Sequence, residues 1–175
     1  MRRLLAASLV LAAVIAAPAD AKADDVIIKR PGAHPRYGLE LEPHLLLGVS
    51  GRFRERDRND GAVGLGVRGT LILVDNGFVS TINNSVGLGV GLDFVPHKGG
   101  TVLLIPVVMQ WNFFLSKNWS VFGEPGAAVY SGTGKDGLVL DPILEAGGRF
   151  HFSDRVTLTM RAGWPALSVG VSFLF

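Results

Sequence analysis

The last ten residues of the chain, ALSVGVSFLF, alternate between two kinds of side chain. The odd-numbered positions, from Leu167 to Phe175, are all large and apolar, whereas Ser and Gly dominate the even-numbered ones. Successive side chains of a β-strand point to opposite faces, so a period of two predicts a strand with one apolar face and one face of small, mostly polar residues. The pattern leaves open which face meets which solvent.

The same alternation returns in seven more segments between Tyr37 and Trp164, with turn residues between them. An even number of strands joined in simple sequence order predicts an all-β fold, an eight-stranded antiparallel up-and-down barrel. Proline cannot donate to a sheet ladder, so prolines inside the predicted strands indicate bulges or altered registers. The four prolines concerned are Pro43, Pro106, Pro125 and Pro142.

The N-terminus has the features of a secretory signal peptide. Two arginines precede an apolar run over residues 4–17, and small residues follow up to Ala21 and Ala23. The apolar run is shorter than the roughly 20 residues that a membrane-spanning helix needs. The predicted organisation is a signal peptide over residues 1–21 with cleavage after Ala21 or Ala23, a charged and mobile N-terminal arm over residues 22–36, and a barrel over residues 37–175.

The composition argues against several classes of protein. The chain has no cysteine, so neither disulfides nor thiolate metal sites contribute. The formal net charge is only +2, which gives no indication of a nucleic-acid partner. His34, His44 and His97 lack the spacing of metal ligands, so we expect no metal, and we expect no other cofactor.

Lysines and aromatic residues indicate which face of the barrel points outward. All five lysines fall in the arm or in turns, whereas the exposed sheet of a soluble lipocalin-like barrel would normally carry some. Most aromatic residues share the apolar face and lie at one rim, as in the interfacial girdle of a membrane barrel. The predicted girdle consists of Tyr37, Trp111, Phe113, Trp119, Phe150 and Phe152. Both observations favour a transmembrane barrel with a greasy exterior.

The polar face then lines a narrow lumen that contains charges of both signs. An eight-stranded barrel is only just wide enough for side chains to fill it. Acids that face arginines in such a space can pair with them, so the pattern predicts a lumen plugged by its own charges. The predicted ionic network consists of Glu42, His44, Arg68, Glu124, Glu145 and Arg161.

The terminal strand, with Val169, Val171, Phe173 and Phe175, resembles the C-terminal signature of bacterial outer-membrane barrels. The small, simply connected barrel is similar to the group that contains the OmpA-type transmembrane domain, OmpX and OmpW. This resemblance implies location in the cell outer membrane and contact with its lipid and lipopolysaccharide. It also implies that the barrel-assembly machinery reads Phe173 and Phe175 as an assembly signal. We expect the protein to be a monomer.

Three short motifs have competing interpretations. GLGVRG, residues 64–69, matches a dinucleotide-binding pattern, but a strand rather than a helix follows it, so we interpret its glycines as relief of crowding in the lumen or as sites that let the strands curve. His151 and Ser153 resemble the His-x-Ser pair of lipid A deacylases of the PagL family, but no acid follows Asp154. The arginine-rich segment 52–60 is either a solvated loop or a contact for lipopolysaccharide phosphates.

Three functions are compatible with these observations. The favoured one is a small, non-enzymatic outer-membrane barrel with a structural, adhesive or low-permeability role. The second is a lipid A-modifying or lipid-binding enzyme barrel in the same membrane. The third is a soluble lipocalin-like barrel that binds a ligand in its lumen.

Overall fold

The computed structural model describes residues 26–47, 63–97, 100–131 and 138–175. The predicted signal peptide and the arginine-rich segment 52–60 lie outside these residues. Eight strands account for most of the described chain. They are β1 (Leu39–Leu47), β2 (Val63–Val74), β3 (Asn84–His97), β4 (Gly100–Phe114), β5 (Trp119–Ser131), β6 (Leu138–His151), β7 (Val156–Trp164) and β8 (Leu167–Leu174).

Every strand pairs antiparallel with its neighbours in sequence, and β8 returns to β1, so the sheet forms a closed barrel. The predicted eight-stranded antiparallel barrel is confirmed. The ladder between β4 and β5 continues past Pro106, and the ladder between β5 and β6 continues past Pro125 and Pro142. Pro43 likewise keeps its register opposite Val67. The prediction of bulges at these prolines is therefore wrong, because each strand continues with the proline as a register partner.

Backbone hydrogen bonds of the last residue complete the seam between β8 and β1. The Phe175 N–H donates to the Leu39 carbonyl at 2.8 Å. An oxygen of Phe175 accepts from the N–H groups of Gly38 at 2.7 Å and Leu39 at 3.2 Å. The residue thus extends the pairing one position beyond β8. We call one end of the barrel the terminal rim, which contains Phe175 and the turns 75–83, 115–118 and 152–155. The opposite end is the loop rim.

The two faces of the sheet have opposite chemistry. Along β1, Leu39, Leu41 and Leu45 point outward and are 42–47% exposed, whereas Glu40 and Glu42 between them are 1% exposed. The same alternation repeats around the described barrel, so the exterior is apolar and the interior is largely polar. This arrangement is the reverse of a lipocalin-like barrel. No helix within the described residues is long and apolar enough to cross a membrane.

Residues 26–36, the described part of the N-terminal arm, pack against the terminal rim. Val26 forms a β-bridge with Ser116, and the Ile27 N–H donates to the Leu115 carbonyl at 3.0 Å. The Ile28 carbonyl accepts from the Asn83 N–H at 2.6 Å. The sequence indicated a mobile arm, but Ile27 is buried, and this apolar contact and the backbone bonds hold the segment in place.

Candidate functional site in the barrel lumen

Arg161 on β7 is at the centre of the interior ionic network. Its two terminal nitrogens donate to the two oxygens of Glu42 on β1, at 2.8 and 3.0 Å, which is the bidentate geometry preferred by a guanidinium and a carboxylate. Its Nε donates to Glu124 on β5 at 2.6 Å. All three side chains are at most 2% exposed. One arginine thus links two carboxylates on non-adjacent strands across the lumen.

Arg68 on β2 joins the same network from the other side. Its Nη1 donates to Glu124 at 2.7 Å and to Glu145 on β6 at 3.3 Å. Gln110 on β4 donates to the second oxygen of Glu124 at 2.9 Å. The structure therefore brings five of the six predicted residues into one hydrogen-bonded cluster, because their alternating positions all face inward at similar height.

The sixth predicted residue, His44, contacts the cluster at its edge and has a partner that the sequence reasoning missed. Its Nε2 lies 3.0 Å from Asp93 on β3, and its Nδ1 lies 3.7 Å from Glu42. Gly66 makes this pair possible, because a Cβ at that position would collide with both the Asp93 carboxylate and the His44 ring. Gly66, one of the three glycines of the GLGVRG motif, therefore relieves crowding in the lumen, which is one of the two roles expected for these glycines.

A second ionic pair lies nearer the terminal rim and was absent from the predicted network. Arg149 on β6 donates to Glu40 on β1 at 2.8 Å and to Asn112 on β4 at 2.6 Å. Its guanidinium carbon lies 4.5 Å from the centre of the Phe122 ring, and that of Arg161 lies 5.2 Å from the same centre. Both arginines thus stack on one aromatic ring, which adds a cation–π contact to each. Glu40 and Arg149 lie at inward-facing positions of the alternation, as the predicted residues do. The sequence pattern alone could therefore have placed them in the predicted network.

An apolar layer fills the lumen at the loop rim. Its members are buried and come from four strands and one turn, which places a dry cluster beyond His44 and Asp93. The layer consists of Leu46, Val95, Val102, Leu104, Tyr130 and Ala166. The Tyr130 hydroxyl donates to Asp141 at 3.0 Å, so its polar atom is paired at the margin of the cluster. The described lumen is therefore occupied along its length by ionic side chains and then by apolar ones.

The predicted aromatic girdle forms two groups on the outer face of the terminal rim. Trp111 lies 5.0 Å from Phe113 between ring centres, and Trp119 lies 5.1 Å from Phe150. Phe150 in turn lies 5.2 Å from Phe152, while Phe173 and Phe175 point outward on β8 and just beyond it.

Tyr37 lies between the arm and β1 and is half-buried. Burial and the charge of Glu40 raise the pKa of its phenol above the usual range, and Arg149 acts on it in the opposite direction. Both charged groups lie inside the barrel. Because Tyr37 precedes β1, the alternation of the strand does not determine which way its side chain points, and its place in the girdle stays a prediction.

The two residues of the deacylase-like motif do not face one another. His151 points into the lumen, where its Nε2 bonds Ser120 Oγ at 2.8 Å. The Ser153 Oγ instead accepts from the backbone N–H groups of Arg155 and Val156 in the β6–β7 turn. Among the described residues, no group of three or more His, Asp or Glu side chains has the geometry of a metal site.

Comparisons with known proteins give matches in structure alone. No protein-family model matches the chain, and no curated protein matches it. A de novo designed transmembrane β-barrel is 12% identical with a TM-score of 0.54, and the match covers 81% of this chain and 99% of the design. The designed barrel TMB2.3, solved by solution NMR, is 14% identical with a TM-score of 0.54 over 82% of this chain and 97% of that one.

A natural protein is among the matches. The outer-membrane protein Ail of Yersinia pestis, crystallised with the heparin analogue sucrose octasulfate, is 13% identical with a TM-score of 0.48. That match covers 80% of this chain and 100% of Ail. At these identities the likeness to the designed barrels concerns the fold, and the chain has the fold of a small transmembrane β-barrel.

Proposed function

We propose that the protein is a small, non-enzymatic outer-membrane barrel whose lumen is closed to solutes and whose role is structural or adhesive. The buried network around Arg161 and Glu124 carries this proposal. Side chains from seven strands meet there, and the guanidinium and carboxylate groups satisfy one another rather than line a water-filled channel. A porin needs a lumen wide enough for water, and eight strands leave room only for side chains.

Location in the outer membrane is supported by the signal-peptide pattern and by the apolar exterior. An exported chain that folds into a closed barrel with an apolar exterior needs a bilayer around it, because a contiguous apolar surface of this kind is not stable in water. In that membrane its partners are lipid and lipopolysaccharide, with the barrel-assembly machinery during insertion. We expect it to work as a monomer and without a cofactor.

The geometry of the deacylase-like motif argues against an enzyme. A catalytic His–Ser pair needs the base within hydrogen-bond reach of the nucleophile. His151 bonds Ser120 inside the barrel, while Ser153 caps a turn. Expression of the protein should therefore leave the acyl chains of lipid A unchanged in mass spectra, and loss of an acyl chain would support the enzyme alternative.

Planar-bilayer recording tests the closed lumen directly. The purified, refolded protein should give no large, steady conductance when it inserts, because the ionic network blocks the lumen. A designed or natural porin added to the same bilayer gives the positive control. A stable open current from the unmodified protein would refute the closed-lumen proposal and favour a channel.

A further inference from the structure

The described part of the N-terminal arm covers inward-facing side chains at the terminal rim. Phe114 and Asn83 are almost fully buried there, although each lies at the end of a barrel whose mouth would otherwise open to water. The His34 ring stacks on Phe114 with 4.3 Å between ring centres and 8° between planes. Its Nδ1 bonds Asn83 Oδ1, and its Nε2 lies 3.3 Å from Asp75.

The described part of the arm is held by a short set of contacts. Ile27 is buried, and backbone contacts join the arm to Leu115, Ser116 and Asn83. His34 and Arg36 supply the side-chain contacts, with Asn83, Phe114 and Asp75. Lys29 and Arg30 between these anchors are exposed. A segment fixed by so little buried area is of the kind that opens locally while the sheet stays folded.

Buried polar atoms without a partner are concentrated beneath the arm. Within the described residues, four of the five such atoms lie in the layers nearest the terminal rim, and the fifth is Arg68 Nε in the middle of the lumen. The four are Asn83 Nδ2, His151 Nδ1, Glu40 Oε2 and Arg149 Nε. A buried polar atom without a hydrogen-bond partner destabilises the folded protein, and a hydrogen bond to water would remove that penalty.

Different contributions therefore favour the docked and the released arm. Docking buries Ile27 and forms the hydrogen bonds of His34, whereas release hydrates the unpartnered atoms. We propose that residues 26–36 are a reversible strap that closes a polar vestibule at the terminal rim, lined by Asn83, Ser120, Arg149, His151 and Glu40. Water enters the vestibule when the strap is released, while the ionic network beyond it keeps the lumen closed.

A single engineered cysteine can report on this vestibule, because the natural chain contains none. Ser120→Cys places a thiol at a position that is fully buried beside His151. In the otherwise unmodified barrel, folded in nanodiscs, a charged water-soluble thiol reagent should react slowly. Adding Ile27→Asp should raise the rate by at least roughly tenfold, since burial of an isoleucine side chain exceeds the free energy of a tenfold step. Ala33→Asp adds the same charge at an exposed position of the arm and is the matched control.

Three results would overturn the strap. The first is an equal reaction rate with and without Ile27→Asp while trypsin cleaves after Lys29, since the arm is then released without opening a vestibule. The second is an equal increase from Ala33→Asp. The third concerns hydrogen exchange of the protein without substitutions. We expect the Ile27 amide to exchange faster than amides in the middle of β5. Exchange at the same rate would overturn the strap, because the arm would then be part of the rigid barrel.

Gel migration before and after heating checks that each variant still forms the barrel. Failure of the strap and failure of the proposed function are separable by conductance. If the strap is wrong, the unmodified protein still gives no steady current. If the closed-lumen proposal is wrong, the unmodified protein gives a steady current, whether the thiol of Ser120→Cys reacts slowly or quickly.

Discussion

Replacing Arg161 with alanine should destabilise the folded barrel by about 3–5 kcal/mol. The guanidinium is 1% exposed and bonds both oxygens of Glu42 as well as Glu124. Without it, the Glu42 carboxylate loses its arginine, and Glu124 keeps only Arg68 and Gln110. Removal of one partner from a buried ion pair has this cost because the remaining charge is left away from water.

Urea unfolding in lipid vesicles, followed by tryptophan fluorescence, measures the loss. Arg161→Met separates charge from volume, because methionine fills part of the same space without a charge. Both variants should be destabilised to a similar extent if the stranded carboxylates dominate. The double variant Arg161→Ala, Glu42→Ala should recover part of the loss, since the two residues are in direct contact and their effects are not additive.

Arg155→Ala is the control, because this arginine lies on an exposed turn at the terminal rim. Surface substitutions of this type usually change stability by no more than about 0.5 kcal/mol. An effect of Arg161→Ala no larger than that of Arg155→Ala would refute the reasoning, since it would mean that the network is hydrated and its charges are not confined.

Three further substitutions test other parts of the structure. Deletion of Phe175, or Phe175→Asp, should lower the yield of heat-modifiable barrel in outer-membrane fractions without preventing export, and unchanged yields would count against an assembly role. Met160→Arg should cost about 2–4 kcal/mol in vesicle unfolding if that outward position is at the bilayer midplane, with Met160→Leu as the control. Gly66→Ala should cost about 1–3 kcal/mol in the same assay, because the added methyl group forces His44 and Asp93 apart.

The alternation of the sequence predicted the barrel and the inward set of side chains because both depend on a local property. The parity of a strand fixes the face of every residue in it, so Glu42, Arg68 and Arg161 had to share the lumen once the strands were known. Which acid meets which arginine depends on the stagger between strands, and that is fixed only when the sheet closes. The bond between Arg149 and Glu40, residues 109 positions apart, is an example, because parity places both side chains in the lumen but their pairing follows from the closed sheet.

The terminal rim was less predictable for a related reason. The arm has no period, so nothing in its sequence showed that Ile27 and His34 would be buried while Lys29 between them stays exposed. The same limit applies to Tyr37, because it precedes the first residue that the strand parity governs. Segments outside the repeating pattern acquire their positions from tertiary contacts, which the alternation does not contain.

The pattern of cross-lumen bonds bears on what such a barrel can do. Arg161 connects β7 with β1 and β5, Arg68 connects β2 with β5 and β6, and Arg149 connects β6 with β1 and β4. All six of these connections join strands that are not neighbours, so they fix the cross-section of the barrel in addition to the backbone ladder. Widening the lumen for a solute would separate several buried charges at once, each at the cost of a stranded ion. A barrel braced in this way is suited to present its surface and loops rigidly, and a change of conformation is more readily accommodated at the strap than in the braced lumen.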